Sequence, residues 1–600
     1  GAWVVLDSST PPLNKLTIVG VLEIVEMTNS SSNRQTRAAP EINPLLINAV
    51  YISIQGGRLF AGRDNEPFRG QLHIKLRGNH KTPDWPLPNG PNQGSKVLGV
   101  FGTLELYGQP HSVYHTKLAA TAAAGSNTLT LAKTVDWKIG DEVAISTTSY
   151  NASETEKRWI TAVSADSRVL TLNQPLNYTH IGETHSVSGT SFSYTLAADV
   201  ALLTRNIRII GEEYPEMMKE SFGARLLVGT YSSAGINYKG TAQIRNVEFF
   251  HSGQEGWTDS TDPRFSATFL NLGKVSAGDT YIQGCAFHDG FSPALGVSGT
   301  EGLNIDDNII HHTVGEGIRI WGNNITLRRN LVMMTLWPGS YQDREEPFNF
   351  DWNAAIEVSQ GTNVVLQHNI VAGYERVAYR IDGEPCPGFL NENEKWVDNE
   401  AHGGLFGVYM NKDGLPGCSQ IRGFFIWKSF DHGIYFQTIM RIVVSNVTLV
   451  DNGLGIMPFI YAPPSLSHAF ADKPVHIQNA LIVGSSPNFN CFDTLSNSDF
   501  NILNSESHRA PRPLNDTVFV GFRNVCSSET NIMFMTNPIN EDLQHPIHTS
   551  GITMVDSTEE AEIFIHRPDV RSGLKKKKKI SRKNIYVKND YEDLFFFKCL

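Results

Sequence analysis

The sequence predicts an all-β fold: a right-handed parallel β-helix preceded by a smaller β-rich domain. Three observations lead to this prediction. Helical periodicity is nearly absent, short β-branched runs are punctuated by Gly and Asn, and one short motif recurs from about residue 240. Hydrophobic residues make up 40% of the 600 residues and charged residues 18%, a composition that excludes a disordered chain.

The recurring motif is an aliphatic residue, two spacers, a small residue or Asn, one spacer, and an aliphatic or aromatic residue. Its copies start at Ile244, Ile282, Ile305, Leu327, Leu366, Ile421, Val444 and Ile477. The starts lie 38, 23, 22, 39, 55, 23 and 33 residues apart, so a unit of 22–23 residues with loop insertions fits every interval. Such a unit is typical of one coil of a parallel β-helix, whose apolar inner face only neighbouring coils can cover.

The small-or-Asn position of the motif is predicted to form an inward column. Asn308, Asn330 and Asn369 occupy it, and a stacked amide there can bond the turn backbone of the next coil. Cys285 occupies the same position, so we expect it to be a buried free thiol.

The patterns divide the chain into five predicted segments. Residues 1–108 carry a repeated Gly-x-Leu signature in which each Gly marks a tight corner before a strand. Residues 109–205 are predicted to be a β-rich connecting module and residues 206–485 the β-helix repeats. Residues 486–570 are predicted to be a C-terminal β segment, followed by an atypical basic tail at 571–600.

Charge separates that tail from the rest of the chain. Residues 571–600 hold ten Lys or Arg and three Asp or Glu, a net of +7, and subtracting this from the total of −11 leaves −18 on residues 1–570. We interpret the tail as foreign to the native protein, derived from an intron or a misassembled transcript; the alternative is a basic tail that binds acidic surfaces. The acidic body argues against nucleic acid as a partner, and no apolar run approaches the ~18 residues of a membrane span.

Cysteine and Asn positions supply candidates for covalent modification. Cys386 and Cys418 lie in Gly- and Pro-rich loops and are one candidate disulfide pair, and Cys491 and Cys526 are a second. Sequons for N-glycosylation, which permit a secretory location, occur at Asn29, Asn151, Asn177, Asn324, Asn446 and Asn515. Cys/His clusters are absent from the sequence, and we assign no metal ligands and no cofactor. The acidic loop 259–262 is a candidate site for calcium, although nothing there fixes a ligand set.

Long segments of the chain resemble a known family. Residues 1–108 resemble a G8 domain lacking its first strands, and residues 240–484 resemble PbH1 parallel β-helix repeats. The segments LLTRNIRIIGE, DDNIIHHTVGEGIRIWG, YRIDGEPCPG and DNEAHGGLFGVYMNKDGLPGC are similar to the fibrocystin family, and most to its receptor-like branch. The resemblance covers about residues 1–570. It implies a segment of a large single-pass protein, lying on the extracellular side of the plasma membrane or secreted, whose membrane span falls elsewhere.

Catalysis on hyaluronan-type glycans is the alternative function, because the resemblance extends to hyaluronan-degrading G8 proteins. Glycoside hydrolysis commonly uses two carboxylates about 5–10 Å apart. The best local set comprises Asp306, Asp307, His312 and Glu316. The motif, however, predicts that Asp306 and Asp307 lie at a solvated corner. The degrading relatives share a His-x-His strand, and residues 267–271 of this chain, at the matching level, have no imidazole.

The remaining histidines next to turns are interpreted as turn or core residues rather than catalytic ones. They are His251, His288 and His432. Without the imidazoles of the degrading relatives, proton transfer at neutral pH lacks an obvious agent. We therefore lean towards a protein that is not an enzyme.

A ligand-binding face is the preferred function. Counting eleven residues past the small-or-Asn position of three repeats leads to Arg319, Arg380 and Tyr435, whose strand neighbours are expected to point inward. We expect these side chains, with Trp321 beside Arg319, to project from one outer face. Such a face suits an acidic glycan or a protein partner; the alternative is a solvated face that binds nothing. The sequence thus predicts an extracellular structural, adhesive or receptor-like segment with an unknown glycan or protein ligand.

Overall fold

In the computed structural model, the chain forms two compact units. Unit 1 comprises Gly1–Ser146, Thr155–Ile181 and Ala198–Val365, and unit 2 comprises Thr147–Glu154, Gly182–Ala197 and Leu366–Leu600. The structure describes residues 1–26, 44–255, 262–342, 353–386, 395–410, 414–415, 417–438, 441–460, 475–490, 514–522, 531–536, 549–557, 562–568 and 575–578.

Unit 1 is built almost entirely of strands. Its first strands are β1 Trp3–Leu6, β2 Leu13–Ile18, β3 Val21–Ile24, β4 Leu45–Ala61, β5 Leu72–Leu76, β6 Val97–Tyr107, β7 His115–Lys117, β8 Thr128–Thr130, β9 Glu142–Ile145, β10 Glu156–Val163 and β11 Val169–Leu172. After β12 and β13, which belong to unit 2, come β14 Asp199–Leu202, β15 Ile207–Gly211, β16 Arg225–Val228, β17 Thr230–Ser233, β18 Ile236–Lys239, β19 Thr241–Arg245, β20 Val247–Phe250, β21 Ala267–Lys274, β22 Tyr281–Gln283 and β23 Ala286–His288. The last are β24 Leu295–Glu301, β25 Asn304–Asp306, β26 Ile309–Val314, β27 Ile318–Trp321, β28 Thr326–Arg328, β29 Leu331–Leu336 and β30 Ala354–Val358. A single turn of helix, α1, spans Met217–Glu220.

Unit 2 is also built of strands, with a short 3₁₀ helix at Ala152–Glu154. Its strands are β12 Gly182–Ser186, β13 Ser193–Ala197, β31 Val365–Gln367 (at whose first residue the division falls), β32 Ile370–Ile381, β33 Glu384–Pro385, β34 Trp396–Val397, β35 Asn399–Met410, β36 Cys418–Thr438, β37 Arg441–Val450 and β38 Leu454–Ile460. They continue as β39 Val475–Val483, β40 Leu514–Val520, β41 Asn531–Thr536, β42 Thr549–Ser550, β43 Thr553–Val555, β44 Glu562–Pro568 and β45 Lys575–Lys578.

Parallel pairing stacks the inward side chains of unit 1 into three columns. One column contains Ile74, Ile209, Phe249, Phe287, Ile310 and Val332. A second contains Leu106, Ile244, Ile282, Ile305 and Leu327. A third contains Leu98, Leu226, Ala267, Leu295, Ile318 and Ile356. All are at most 1% exposed, and the first two columns hold the first and last positions of the sequence motif. The predicted parallel β-helix is therefore confirmed.

The parallel coils of unit 1 begin before residue 206. Ile74 of β5 pairs with Ile209 of β15, and Leu106 of β6 pairs with Ile244 of β19. The N-terminal strands thus share the core of the repeats rather than closing a core of their own. Strand pairing between such distant segments leaves no periodic trace in the sequence, which is why the motif search did not find it.

A small antiparallel sheet is inserted between two of these coils. Its strand order is β7-β14-β9-β10-β11-β8, and β10 and β11 form an antiparallel hairpin. Leu129, Trp137 and Ile160 lie in a buried cluster that belongs to this sheet alone. The backbone N–H of Gln109 donates to Asn206 Oδ1 at 2.8 Å, so the chain leaves and re-enters the stack at neighbouring points.

Asn side chains form a buried ladder in each unit. In unit 1 the Nδ2 of Asn308 donates to Asn330 Oδ1 at 3.0 Å, and Asn330 Nδ2 donates to the carbonyl of Ile305 at 2.9 Å. In unit 2 the Nδ2 of Asn369 donates to Asn399 Oδ1 at 3.1 Å. All four side chains are fully buried, and the amides of Asn308, Asn330 and Asn399 bond backbone groups that have no access to water.

The coil that contains Asn399 was missed by the motif search. Leu366 pairs with Trp396, and Val371 pairs with Ala401. This coil fills part of the 55-residue interval between motif copies. An aromatic residue and a small residue replace the aliphatic residues that the motif required at its two ends.

Candidate functional site

Arginines of the next coil neutralise the acidic pair that sequence analysis placed at a solvated corner. Arg328 Nε lies 3.2 Å from Asp306 Oδ1, and Arg329 Nε lies 2.6 Å from Asp307 Oδ1. Asp306 is only 9% exposed, so its predicted solvation was wrong. Burial raises the pKa of Asp306, and the hydrogen bond and charge of Arg328 act in the opposite direction. Both carboxylates are thus held in ion pairs between coils.

Arg319 is buried, which corrects the prediction that it projects into solvent. Its exposure is 2%; its Nη1 lies 3.3 Å from Glu316 Oε1 and its Nη2 lies 4.0 Å from Glu357 Oε1. The guanidinium also stacks 3.8 Å above the ring centroid of Trp321. Asn353 Nδ2 donates to Glu316 at 2.9 Å. Burial raises the pKa of Glu316, the charge of Arg319 lowers it, and the charge of Glu357 raises it further.

A second buried network, in unit 1, links the inserted sheet to the coils. His288 Nε2 lies 3.1 Å from Glu248 Oε1 and His288 Nδ1 lies 2.9 Å from Asp289 Oδ2. Lys157 of β10 reaches the same oxygen of Asp289 at 2.6 Å. Burial alone would lower the pKa of His288, but hydrogen bonds to the two carboxylates outweigh it and the pKa is raised. Sequence reasoning could not find this network, since Lys157 lies far from His288 along the chain.

The neighbouring histidines His311 and His312 lie beside this network. His311 pairs in register with His288, and neither of its ring nitrogens has a hydrogen-bond partner among the described residues. Burial holds the pKa of His311 well below its usual value and also lowers that of His312. His312 has a positive φ of 56° and packs against Tyr341 rather than joining Asp306 in an acid–base pair.

The other candidate binding residues lie on unit 2, where strand register aligns them. Arg380 pairs with Tyr409, and Tyr409 pairs with Tyr435 on the following coil. Their neighbours Ile381, Met410 and Phe436 are at most 1% exposed, so alternation turns the three polar residues outward. We call Arg380, Tyr409 and Tyr435 the Arg–Tyr face. All three are half-buried.

Ring packing fixes the geometry of the Arg–Tyr face. The rings of Tyr409 and Tyr435 are stacked with centroids 5.3 Å apart, and Phe406 stacks on His432 at 5.2 Å beside them. Stacking of this kind is favourable beyond the area it buries and limits the motion of the phenol groups. Burial raises the pKa of Tyr409 and of Tyr435, so both phenols are protonated at neutral pH. Sequence reasoning missed Tyr409 because it lies on the coil that the motif search overlooked.

One acidic group lies close to this face. Burial, Tyr409 and the charge of Asp431 raise the pKa of Tyr435, and the contribution of Asp431 is the smallest of the three. The carboxylate of Asp431 lies 3.0 Å from His432 Nδ1. Arg319 and Trp321 lie in unit 1, so a face shared with Arg380 and Tyr435 stays a prediction.

The calcium candidate in the acidic loop is partly accounted for. Asp262 Oδ1 lies 2.9 Å from Arg225 Nη1, and its Oδ2 lies 3.2 Å from Arg264 Nη2. Its two oxygens are thus engaged by guanidinium groups. Asp259 lies outside the described residues.

The structure shows the pairing state of three cysteines and the exposure of four sequon asparagines among the candidates for covalent modification. Cys386 and Cys418 are joined by a disulfide with Cα atoms 5.6 Å apart, and Cys285 is a buried free thiol. Asn177, Asn324 and Asn446 are exposed, and Asn151 is half-buried. Asn29, Cys491 and Cys526 lie outside the described residues, as does the side chain of Asn515.

Comparison with known proteins matches both parts of the predicted architecture. Residues 1–119 match the G8 domain family and residues 232–377 match the CEMIP beta-helix family. Human fibrocystin-L is 53% identical over 95% of this chain. The chain is a relative of fibrocystin-L. The resemblance inferred from the sequence segments is confirmed.

The relatives are much longer than this chain. The match covers 14% of human fibrocystin-L, and dog fibrocystin, 28% identical over 95% of this chain, is also covered to 14%. The chain therefore aligns with only a segment of these longer proteins. Among solved structures, the gp61 tailspike of Pseudomonas phage phi297 is 11% identical to this chain. The match covers 85% of this chain and 66% of the tailspike, with a TM-score of 0.21. Within the described residues, no helix has the length and apolar character needed to cross a bilayer.

Proposed function

We propose that this chain is an extracellular ligand-binding segment and that its Arg–Tyr face holds an acidic glycan. The observation that carries the proposal is the register of Arg380, Tyr409 and Tyr435, which places one guanidinium and two protonated phenols in a row on consecutive coils. Successive donors lie one coil apart, about 4.8 Å, along a rigid sheet. An extended polymer with regularly spaced acceptors can contact all three.

The chemistry of the donors favours an anionic ligand. A guanidinium has no acceptor and forms short paired bonds to carboxylate or sulfate oxygens, while a protonated phenol donates one O–H. Because residues 1–570 carry a net charge of −18, attraction of a polyanion depends on this local face rather than on the overall charge. The homology to fibrocystin-L supports the extracellular setting.

Binding to immobilised hyaluronan and to neutral dextran tests the proposal. Arg380→Ala is expected to weaken capture on hyaluronan about tenfold or more, which corresponds to about 1.4 kcal/mol. Arg329→Ala, which removes the same charge from an arginine that is 47% exposed in unit 1, is the matched control and is expected to leave capture within about twofold. Equal effects of the two variants, or capture by acidic polypeptide in place of glycan, would contradict the proposal.

A glycan-degrading activity is the second candidate. The match of residues 232–377 to the CEMIP beta-helix family favours it, since the sequence resemblance to hyaluronan-degrading G8 proteins involves the same region. Incubation with size-defined hyaluronan and calcium, followed by measurement of polymer length, tests this candidate directly. Shortened polymer would replace the binding proposal, and intact polymer with retained capture would leave binding as the function.

A further inference from the structure

A groove in unit 2 lies next to a glycosylation sequon. The groove has a volume of about 500 Å³, and its floor is formed by Thr448, Leu481 and Val518 on three successive parallel strands. One side is formed by Phe192, from the turn between β12 and β13, whose side chain is 46% exposed. The exposed ring offers an apolar surface that a ligand in the groove can cover.

The rim of the groove is a column of corner residues. Asn446, Asn479 and Asp516 follow one another on β37, β39 and β40, and all three have positive φ angles, of 51°, 52° and 46°. This backbone conformation favours Asn and Asp among side-chain-bearing residues. Asn446 is exposed and begins the sequon Asn446-Val447-Thr448, so the acceptor amide and the sequon hydroxyl residue both line the groove.

We propose that Asn446 carries an N-linked glycan whose first N-acetylglucosamine packs into this groove against Phe192. The inference rests on the extracellular location in the proposed function, because the modification requires the secretory pathway. In the transfer, a bond forms between Asn446 Nδ2 and C1 of the sugar. The bond from C1 to the pyrophosphate of a lipid-linked oligosaccharide breaks, and the amide releases one proton.

The chemistry of the groove suits the first sugar of such a glycan. A pyranose ring has an apolar face, which can cover the exposed ring of Phe192. Its acetamide N–H and hydroxyl groups are donors, and the carboxylate of Asp516 and the amide of Asn479 on the rim supply acceptors. The volume lies within the range of small-molecule sites, about 300–1,000 Å³.

Two other described sequons lack this combination. The amide of Asn324 is already engaged, since its Nδ2 donates to Glu301 and its Oδ1 accepts from Asn363. Asn177 is exposed in the loop that follows β11 in unit 1 and is not part of the groove. Asn177 therefore serves as the internal control for a glycan that extends into solvent.

The test uses the whole chain secreted from mammalian cells behind a leader peptide. Peptide mass spectrometry after enzymatic release in ¹⁸O-water is expected to show conversion of Asn446 to labelled Asp. Release by peptide N-glycosidase from the folded protein is expected to be at least about tenfold slower at Asn446 than after denaturation, because a packed core sugar is shielded. Phe192→Ala is expected to restore fast release, whereas Trp159→Ala, which removes another exposed aromatic ring in unit 1, is not.

Three outcomes would overturn the inference. Secreted protein that carries glycan at Asn177 but none at Asn446 would exclude the modification. Release at Asn446 that is as fast in the folded as in the denatured protein, or slow release unchanged by Phe192→Ala, would exclude packing in the groove. The release measurements on the unsubstituted protein need no variant to fold. Since hyaluronan capture by the Arg–Tyr face is measured separately, failure of one proposal is distinguishable from failure of the other.

Discussion

Arg319 and Arg380 occupy equivalent places in the repeat but have different surroundings. Each lies eleven residues after the inward Asn of its coil, and each has inward neighbours on both sides. Arg319 is 2% exposed, lies between two carboxylates and stacks on Trp321. Arg380 is half-buried next to a pair of stacked tyrosines.

The difference shows that the repeat determines the direction of a side chain but not its exposure to solvent. Strand alternation sets the direction in which a side chain leaves the strand. Whether it then meets solvent depends on the turn before it and on the coil after it. In unit 1, Glu316 comes from the preceding turn and Glu357 from the next coil, and together they convert an outward arginine into an internal one.

The largest expected effect is on stability and distinguishes the two arginines. Arg319→Ala leaves Glu316 and Glu357 buried without their counter-ion, so we expect a loss of about 3–5 kcal/mol in the free energy of unfolding. Arg380→Ala is the control and is expected to cost less than about 1 kcal/mol. Urea titration of each variant checks this. Equal losses would mean that the burial of Arg319 has no energetic consequence.

A second prediction concerns the buried Asn ladders, which are alike in the two units although the outward arginines differ. Asn330→Ala in unit 1 and Asn399→Ala in unit 2 each remove a ladder amide and leave buried donors without an acceptor. We expect each to lower the free energy of unfolding by about 1–3 kcal/mol. A loss confined to one unit, measured by urea titration, would show that the ladders are not equivalent.

The third prediction uses the pH dependence of unit 1. His311 is neutral in the fold because burial depresses its pKa, whereas the unfolded chain takes up a proton as pH falls below about 6.5. Stability is therefore present above about pH 6.5 and decreases as pH falls, by up to about 1.4 kcal/mol per pH unit from this group. His288, whose pKa is raised, opposes this, because its contribution is present below about 6.5 and is lost as pH rises through its folded pKa.

His311→Met tests that pH dependence. The next coil carries Met333 at the same register position, so a thioether fits the column. We expect the variant to be more stable than the original at pH 5, by about 1–3 kcal/mol, and to lose less stability on acidification. His368→Gln, at a histidine side chain that is 52% exposed in unit 2, is the control. We expect it to leave the slope of the unfolding free energy against pH unchanged. A slope that His311→Met leaves unchanged would assign the acid sensitivity to other groups.

The smallest expected stability effect is at the Arg–Tyr face. Tyr435→Phe keeps the ring stack and removes one donor, so the free energy of unfolding should change by less than about 0.5 kcal/mol. Hyaluronan capture should nevertheless fall by about threefold to tenfold. A variant that loses stability and keeps capture would place Tyr435 among the structural residues, like Arg319.

The sequence predicted the fold well where a side chain's role depends on its own coil. Ile305, Asn308 and Ile310 show their inward positions through spacing alone, because one coil repeats the geometry of the last. The motif did not match the coil at Trp396, because a large and a small residue replace two aliphatic residues there at similar total volume. The burial of Arg319 and the contact of Lys157 with Asp289 depend on residues that only tertiary structure brings near.

The amide ladder of unit 1 has a direction. Asn308 serves the corner of the coil before it, since its Oδ1 accepts from the N–H of Cys285 and its Nδ2 donates to the carbonyl of Ile282. Cys285 at the same position has only a thiol, which lies 3.8 Å from the carbonyl of Ile244. The amide of each coil therefore satisfies backbone groups of the coil before it. Cys285 lies on the coil just before Asn308, the amide at the origin of this ladder. Cys285→Asn would move that origin back by one coil.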